Sequence, residues 1–158
     1  MIAVEVKDQE VLAALGKLMA GLKDMRPAMA NVAQALGSES ERQFSTQSGP
    51  LGPWPGLAES TKHARGQQGT WPGRMLQVSA GGLAASVQTA FGSSFASIGS
   101  NKPYSAIHQF GGMAGRGHSA KIPARPYLPF HPQTSELTQS AKATVLDVLD
   151  SYLSRITG

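Results

Sequence analysis

Apolar positions along this chain change period several times, and each change marks an element. Ile2, Val4 and Val6 alternate with Ala3 and Glu5, the period-two pattern of a short half-buried strand, which predicts a strand at a sheet edge. Asp8 is placed to cap the helix that follows. There Val11, Leu12, Leu15, Leu18, Met19 and Leu22 form a stripe that ends near Leu22 to Asp24. Pro27 suits the first turn of a second helix, with Ala28, Met29, Val32, Ala33, Leu36 and later Phe44 on its buried side. Gly37 and the two serines after it weaken the middle of that helix.

From Ser45 to Pro72 the helical period disappears. Pro, Gly, Ser and Gln dominate, interrupted by Trp54, Leu57 and Trp71, and the stretch reads as a long mobile loop that is functional or orders on assembly. Each tryptophan suits either a lid over the core or an anchor in a subunit interface, where Trp is enriched. Leu83 to Phe91 and Phe95 to Ile98 read as two strands joined by a turn at Gly92-Ser93-Ser94. After a break at Asn101 to Pro103, Tyr104, Ile107, His108 and Phe110 have the spacing of one short helical turn, ended by Gly111-Gly112. Gly111 to Lys121 is small or cationic apart from Met113 and reads as a mobile loop. Ala124 to Phe130, held extended by its prolines, is expected to join the same sheet. A last helix from Ser135 carries Leu137, Ala141, Val145, Val148, Leu149, Tyr152, Leu153 and Ile156 on one face, with Thr134 or Ser135 as cap. The fold class these elements compose is α+β: a small antiparallel β-sheet packed with N-terminal helices and a long C-terminal helix, in one domain over residues 1–158.

Composition narrows the classes. A chain of 158 residues buries roughly 70% of the surface its unfolded form exposes, so a core forms without staples. With no Cys, disulfides and Cys-ligated zinc are excluded and a reducing cytoplasm is a suitable place to fold. No apolar run reaches the length of a membrane span, and the N-terminus lacks the pattern of a signal peptide, so the protein is expected to stay where it is made. The net charge of +4 permits weak attraction to DNA or to an acidic protein surface, yet there is no dense basic block.

Candidate chemistry is sparse. Gly112 to Ser119 fits the phosphate-loop template except at its lysine, where His118 stands, and KIPARP after it forbids the helix that such a loop requires. The four histidines, His63, His108, His118 and His131, have no zinc spacing, so no metal and no cofactor is expected. His108 suits packing on the sheet with a hydrogen bond to a carbonyl. Acid–base use would need a carboxylate, and none is near it in sequence. The acids cluster in the terminal helices and around Glu39 to Glu59, and no serine elbow occurs, so an enzyme is disfavoured. Arg125, between Ala and Pro, presents a rigid fork to a carboxylate or a row of backbone carbonyls, suiting an intramolecular ion pair or a contact to a neighbouring subunit. Arg116, His118 and Lys121 suit a solvated loop, a neighbouring protein or DNA phosphates.

YSAIHQFGG, followed about ten residues later by IPARPYL, resembles the hallmark of the phage virion morphogenesis family, the tail completion proteins of Mu-like and P2-like contractile-tailed phages. Phe44, Gln47, Pro50, Gly52, Trp54 and Leu57, then Thr61, Met75-Leu76, Gly82-Leu83, Ser86 and Ile98-Gly99, fall in the order of that family's remaining elements. One departure is the proline-crowded run Gly49 to Pro55, where relatives often carry an acid. The resemblance implies a structural tail completion or tail terminator protein in the virion, at the head-proximal end of the tail, assembled in the bacterial cytoplasm. Its implied partners are itself, in a ring that is commonly of six copies, the tail tube and the head–tail connector proteins, with no membrane and at most weak DNA contact. The residues expected to carry such contacts are Trp54, Trp71, Tyr104, His108, Phe110, Arg116, Lys121, Arg125 and Tyr127. Two alternatives are a DNA-binding module using the basic Gly-rich loop and a hydrolase using His108.

Overall fold

Helix α2 (Arg26–Thr46) is the element on which both layers of the subunit are built. The computed structural model describes residues 2–4, 8–19 and 24–157. Pro27 lies in the first turn of α2, where its missing N–H is not needed. Ala28, Met29, Val32, Ala33, Leu36 and Phe44 are buried as their spacing predicts. Gly37 and the serines do not interrupt the helix. On one side α2 packs against helix α5 (Gln139–Thr157), and on the other against strands β4 (Val87–Phe91) and β5 (Ala96–Ser100). The fold is α+β.

The main sheet has the order β1-β5-β4, all antiparallel, with β1 (Ile2–Val4) at one edge as expected. Continuation of β1 to Val6 and the end of the first helix near Leu22 lie outside the described residues. The β4–β5 hairpin forms in the register Val87↔Ser100 to Phe91↔Ala96, closed where the Gly92 amide donates to the Phe95 carbonyl at 2.9 Å. Leu83 to Ser86, read as strand, instead makes a buried Leu83 and a 3-10 turn at Ala84–Ser86.

Helix α1 (Gln9–Met19) starts at Asp8, whose Oδ1 accepts the Glu10 and Val11 amides at 3.0 and 3.3 Å. Val11 is buried and Leu15 packs on the core. Leu12, one residue further round the helix than Val11, is 43% exposed and leaves the predicted stripe. Asp8 also meets the Lys142 ammonium of α5 at 3.0 Å, and Glu10 reaches the same cation at 3.2 Å, which ties α1 to α5. Helix α5 buries Ala141, Val145 and Leu149, but it starts later than expected. Thr138 is its cap, accepting the Ala141 amide at 3.2 Å, while Leu137 sits in a β-bridge with Phe130.

The segment after α2 is not the long irregular loop the composition suggests. A tight hairpin of β2 (Ser48–Gly49) and β3 (Gly52–Pro53) leads to helix α3 (Glu59–Gln67). This helix has almost no apolar stripe to betray it. Its one buried side chain is Arg65, which donates to the Thr70 and Arg74 carbonyls at 2.8 and 3.2 Å.

The largest departure concerns residues 125–130. They are buried in irregular backbone that bends at Leu128 and Pro129, and they do not join the sheet. They form a strap across the C-terminal half of α2; the Arg125 and Phe130 amides and the Pro129 carbonyl pair with backbone at His108, Leu128 and Thr138, and side chains satisfy the stretch between. Gln109 Oε1 accepts the Tyr127 and Leu128 amides at 3.1 and 3.0 Å, and Gln109 Nε2 donates to the Phe130 carbonyl at 3.4 Å. Ser40 donates to the Tyr127 carbonyl at 2.7 Å and Trp54 Nε1 to the Pro126 carbonyl at 2.9 Å. With its amide turned so that the NH2 faces the strap, Gln43 donates to the Pro126 and Leu128 carbonyls, each at 3.1 Å. Prolines at 126 and 129 remove two amides that would otherwise need partners. Gly49 lies against the Pro126 carbonyl oxygen so closely that a Cβ there would collide with it.

Two outcomes follow for stability. Gln109→Leu fills the same space but strands two amides and a carbonyl. It should lower the unfolding free energy in urea by about 3 kcal/mol, since each buried unpaired group costs about 1–3 kcal/mol; a loss within about 0.5 kcal/mol would contradict the strap's dependence on this side chain. Asp8→Asn keeps the cap and removes the charge. Burial alone raises the Asp8 pKa, but the Lys142 hydrogen bond, the two amides and the Lys142 charge outweigh it and hold the carboxyl below the usual aspartate range. A depressed folded pKa stabilises above the unfolded value near about 3.9 and loses that stabilisation as pH falls through the folded one. The variant should therefore melt below the parent at pH 5 to 8, with the gap closing below about pH 4; a gap independent of pH would contradict the ion pair.

Candidate functional site

Three features surround the strap: the elements that lead into it, a cleft beside them, and an arm that leaves the body between them. Helix α4 (Ser105–Phe110) is the short turn predicted from YSAIHQF. It presents Gln109 inward to the strap, and the His108 carbonyl accepts the Arg125 amide at 2.7 Å. Gly111 ends the helix at φ 73°, a conformation in which a Cβ would lie 2.9 Å from the Ala124 amide nitrogen. The chain therefore turns away from the body here and comes back at Pro123.

Between these points the expected mobile loop is a two-stranded ribbon. β6 (Gly112–Ala114) pairs with β7 (Ala120–Ile122) in the register Met113↔Lys121, with a turn at Arg116–His118. The ribbon is held by its own backbone, so small side chains suffice and no alternating pattern shows in the sequence. Its chief contacts are between its own strands and turn. Met113 and Lys121, side by side on one face, are exposed, and Arg116 is exposed at the tip. Phe110, at the base of the arm, is 46% exposed.

On the other flank of α4 an open cleft of about 350 Å³ lies between α3, residues 76–83 and α4. Leu57, Leu76, Val78 and Leu83 give it an apolar floor, with Thr61, Arg65, Ser79, Tyr104 and His108 around them. The Tyr104 and His108 rings meet edge to face at 6.0 Å. Among the described residues the buried His108 Nδ1 has no hydrogen-bond partner, in place of the carbonyl bond expected from the sequence. Burial first, and then the nearby Arg125 charge, lower its pKa, which favours the neutral ring.

The predicted contact residues therefore divide into two groups. Trp54, Arg125 and Tyr127 are consumed inside the subunit. Trp54 meets Phe44 edge to face at 5.7 Å and bonds the strap, the core-lid alternative rather than an exposed anchor. Among the described residues Arg125 forms no ion pair with a carboxylate; its Nε and Nη2 donate to the Pro55 and Gly56 carbonyls at 2.7 Å each. Its fork thus pins the 50–57 segment. Tyr127 is wholly buried, with its hydroxyl 3.3 Å from the Ser105 carbonyl and its pKa pushed up to about 12 by burial. Trp71 follows neither alternative cleanly. It is half-buried beside α3, with the Arg65 guanidinium 5.5 Å and the Lys62 ammonium 5.9 Å from its ring centre. Tyr104, Phe110, Arg116 and Lys121 remain outward, and His108 is half-buried on the cleft wall. Among the described residues, no group of His and acids is arranged to hold a metal ion.

Ser40, Gln43 and Gln109 escape a reading of the sequence. A signal exists in α2, where the buried register continues past Leu36 through Ser40 and Gln43 to Phe44: polar residues on a core face imply an enclosed backbone to bond.

The sequence profile of the phage virion morphogenesis family matches residues 6–154. The Mu-like prophage FluMu G protein 2 of Haemophilus influenzae is 35% identical over 153 residues, covering 96% of each chain. The putative capsid assembly protein G of Escherichia phage Mu is 42% identical over 102 residues, covering 61% of this chain and 64% of that one. The FluMu G protein 1 of Haemophilus influenzae is 34% identical over 114 residues, covering 71% and 73% respectively. No solved structure matches significantly. A profile match along nearly the whole chain, with a relative aligned end to end, shows that the chain belongs to the phage virion morphogenesis family and has its role in assembling the phage particle.

Proposed function

We propose that this protein is a non-catalytic structural subunit that completes the phage tail at its head-proximal end, associating with itself in a ring and contacting the tail tube and the head–tail connector proteins. The observation that carries this reading is the projecting arm. Residues 112–122 are paired to each other and offer Met113, Arg116 and Lys121 outward, a form suited to reaching a neighbouring subunit. The histidine of the motif has structural duties: its carbonyl accepts the Arg125 amide of the strap and its ring meets Tyr104 edge to face. The phage Mu relative is named for capsid assembly, so the test must set tail against head.

Light scattering coupled to gel filtration, across a concentration series and with purified tail tubes or capsids added, makes the comparison. Growth of a defined ring and co-elution with tubes is the expected result. A monomer at every concentration, or binding to capsids alone, would contradict it, and tight salt-sensitive binding to duplex DNA would favour the nucleic-acid alternative. Deletion of residues 112–119 should leave the thermal melt within about 3 °C of the parent, since these residues add little to the core, and should reduce assembly. Unchanged particle production would refute the arm's part in it.

A further inference from the structure

Charge is unevenly placed along this chain. Between Glu59 and Glu136 there is no carboxylate, while seven Lys and Arg side chains fall there, from Lys62 to Arg125; all ten carboxylates lie at or outside those two glutamates. Several of the cations are used within the subunit. Arg65 and Arg125 bond backbone carbonyls, and Lys62 pairs with Glu59 at 2.6 Å. Arg116 and Lys121 on the arm are exposed, and among the described residues neither has an ion-pair partner.

The complementary surface lies on α5. Asp147 and Asp150, three residues apart, share the face of the helix turned away from the buried Val145 and Leu149, and both are exposed. They too have no ion pair among the described residues, in contrast to Asp8, Glu10, Glu39 and Glu59. Within one subunit α5 packs on α2 and α1, whereas the arm contacts chiefly itself. One copy thus carries two unpaired surfaces of opposite sign.

We propose that the arm of one copy lies across the Asp147–Asp150 face of α5 on a second copy, with Arg116 and Lys121 meeting the two carboxylates. The inference rests on the reading of this protein as a self-associating subunit, and it names the partner surface and the polarity of that association. Exposed ion pairs alone contribute little. Met113, 51% exposed and directly across the ribbon from Lys121, adds apolar surface to the same contact. Because arm and helix face are different patches, the contact is head-to-tail, a class that closes into rings when the rotation per copy allows.

Charge reversal of the full chain tests this. Arg116→Glu/Lys121→Glu should weaken self-association in gel filtration with light scattering by about tenfold or more, and Asp147→Lys/Asp150→Lys should do the same. All four substitutions in one chain should restore it, and sodium chloride should weaken the parent association as it screens the pairs. Circular dichroism melts keep folding defects apart, since all four side chains are exposed. Parent association that both reversals leave unchanged, or that the fourfold swap does not rescue, would overturn the inference and leave the assembly reading standing. A parent that stays monomeric throughout would overturn both. Duplex DNA bound by the parent and released by the arm reversal, with no change in self-association, would assign the arm to nucleic acid instead.

Discussion

A run of backbone buried without a sheet to pair with is the constraint that shapes this subunit. Residues 125–130 cross α2 within the core, where every unpaired amide or carbonyl costs about 1–3 kcal/mol. The chain meets that demand with side chains drawn from three places: Ser40 and Gln43 from α2, Trp54 from the hairpin after it, and Gln109 from α4. Proline at 126 and 129 lowers the number of donors, and glycine at 49 lets one wall close on the strap. The sequence words that resemble the family's hallmark, YSAIHQFGG and IPARPYL, and the tryptophan some way before them in the proline-rich turn, meet at this one segment. Their co-occurrence has a physical reason.

Elements with a sequence period or a marked turn were legible in advance. Helix α2 and most of α5 bury the stripe their sequence carries, β1 shows its alternation, the β4–β5 hairpin shows its Gly92-Ser93-Ser94 turn, and Asp8 announces its helix by chemistry. Elements held by something other than a stripe were not legible. Helix α3 keeps its place through Arg65 and its neighbour Trp71; the arm keeps its register through backbone pairing between small residues. The strap looked like a strand because prolines and aromatics favour extended backbone, yet nothing local says whether extended backbone will find a strand or a set of amide side chains to bond. Of the candidate contact residues, the exposed ones were recognised by type. The sequence left the places of Trp54, Arg125 and Tyr127 open, because aromatic and arginine side chains serve interfaces and interiors equally well.

The division between interior and exterior bears on function. The motif's bulky residues fix the strap, and that fixed strap in turn sets the two ends from which the arm springs, at Gly111 and Pro123. A rigid base with a narrow, cationic ribbon suits a protein that acts by contact, since the ribbon needs little ordering when it docks. The acidic face of α5 lies on a different element from the arm, which gives the subunit direction.

The interior claim is tested most directly by native-state hydrogen exchange at single amides. Tyr127 and Leu128 lie outside any strand or helix, so local structure alone gives no reason for protection. Exchange of both amides at the rate of global unfolding, matching the core of α2, is the expected result. Exchange on the timescale of surface loops would show that the strap opens on its own and that Gln109 does not hold it.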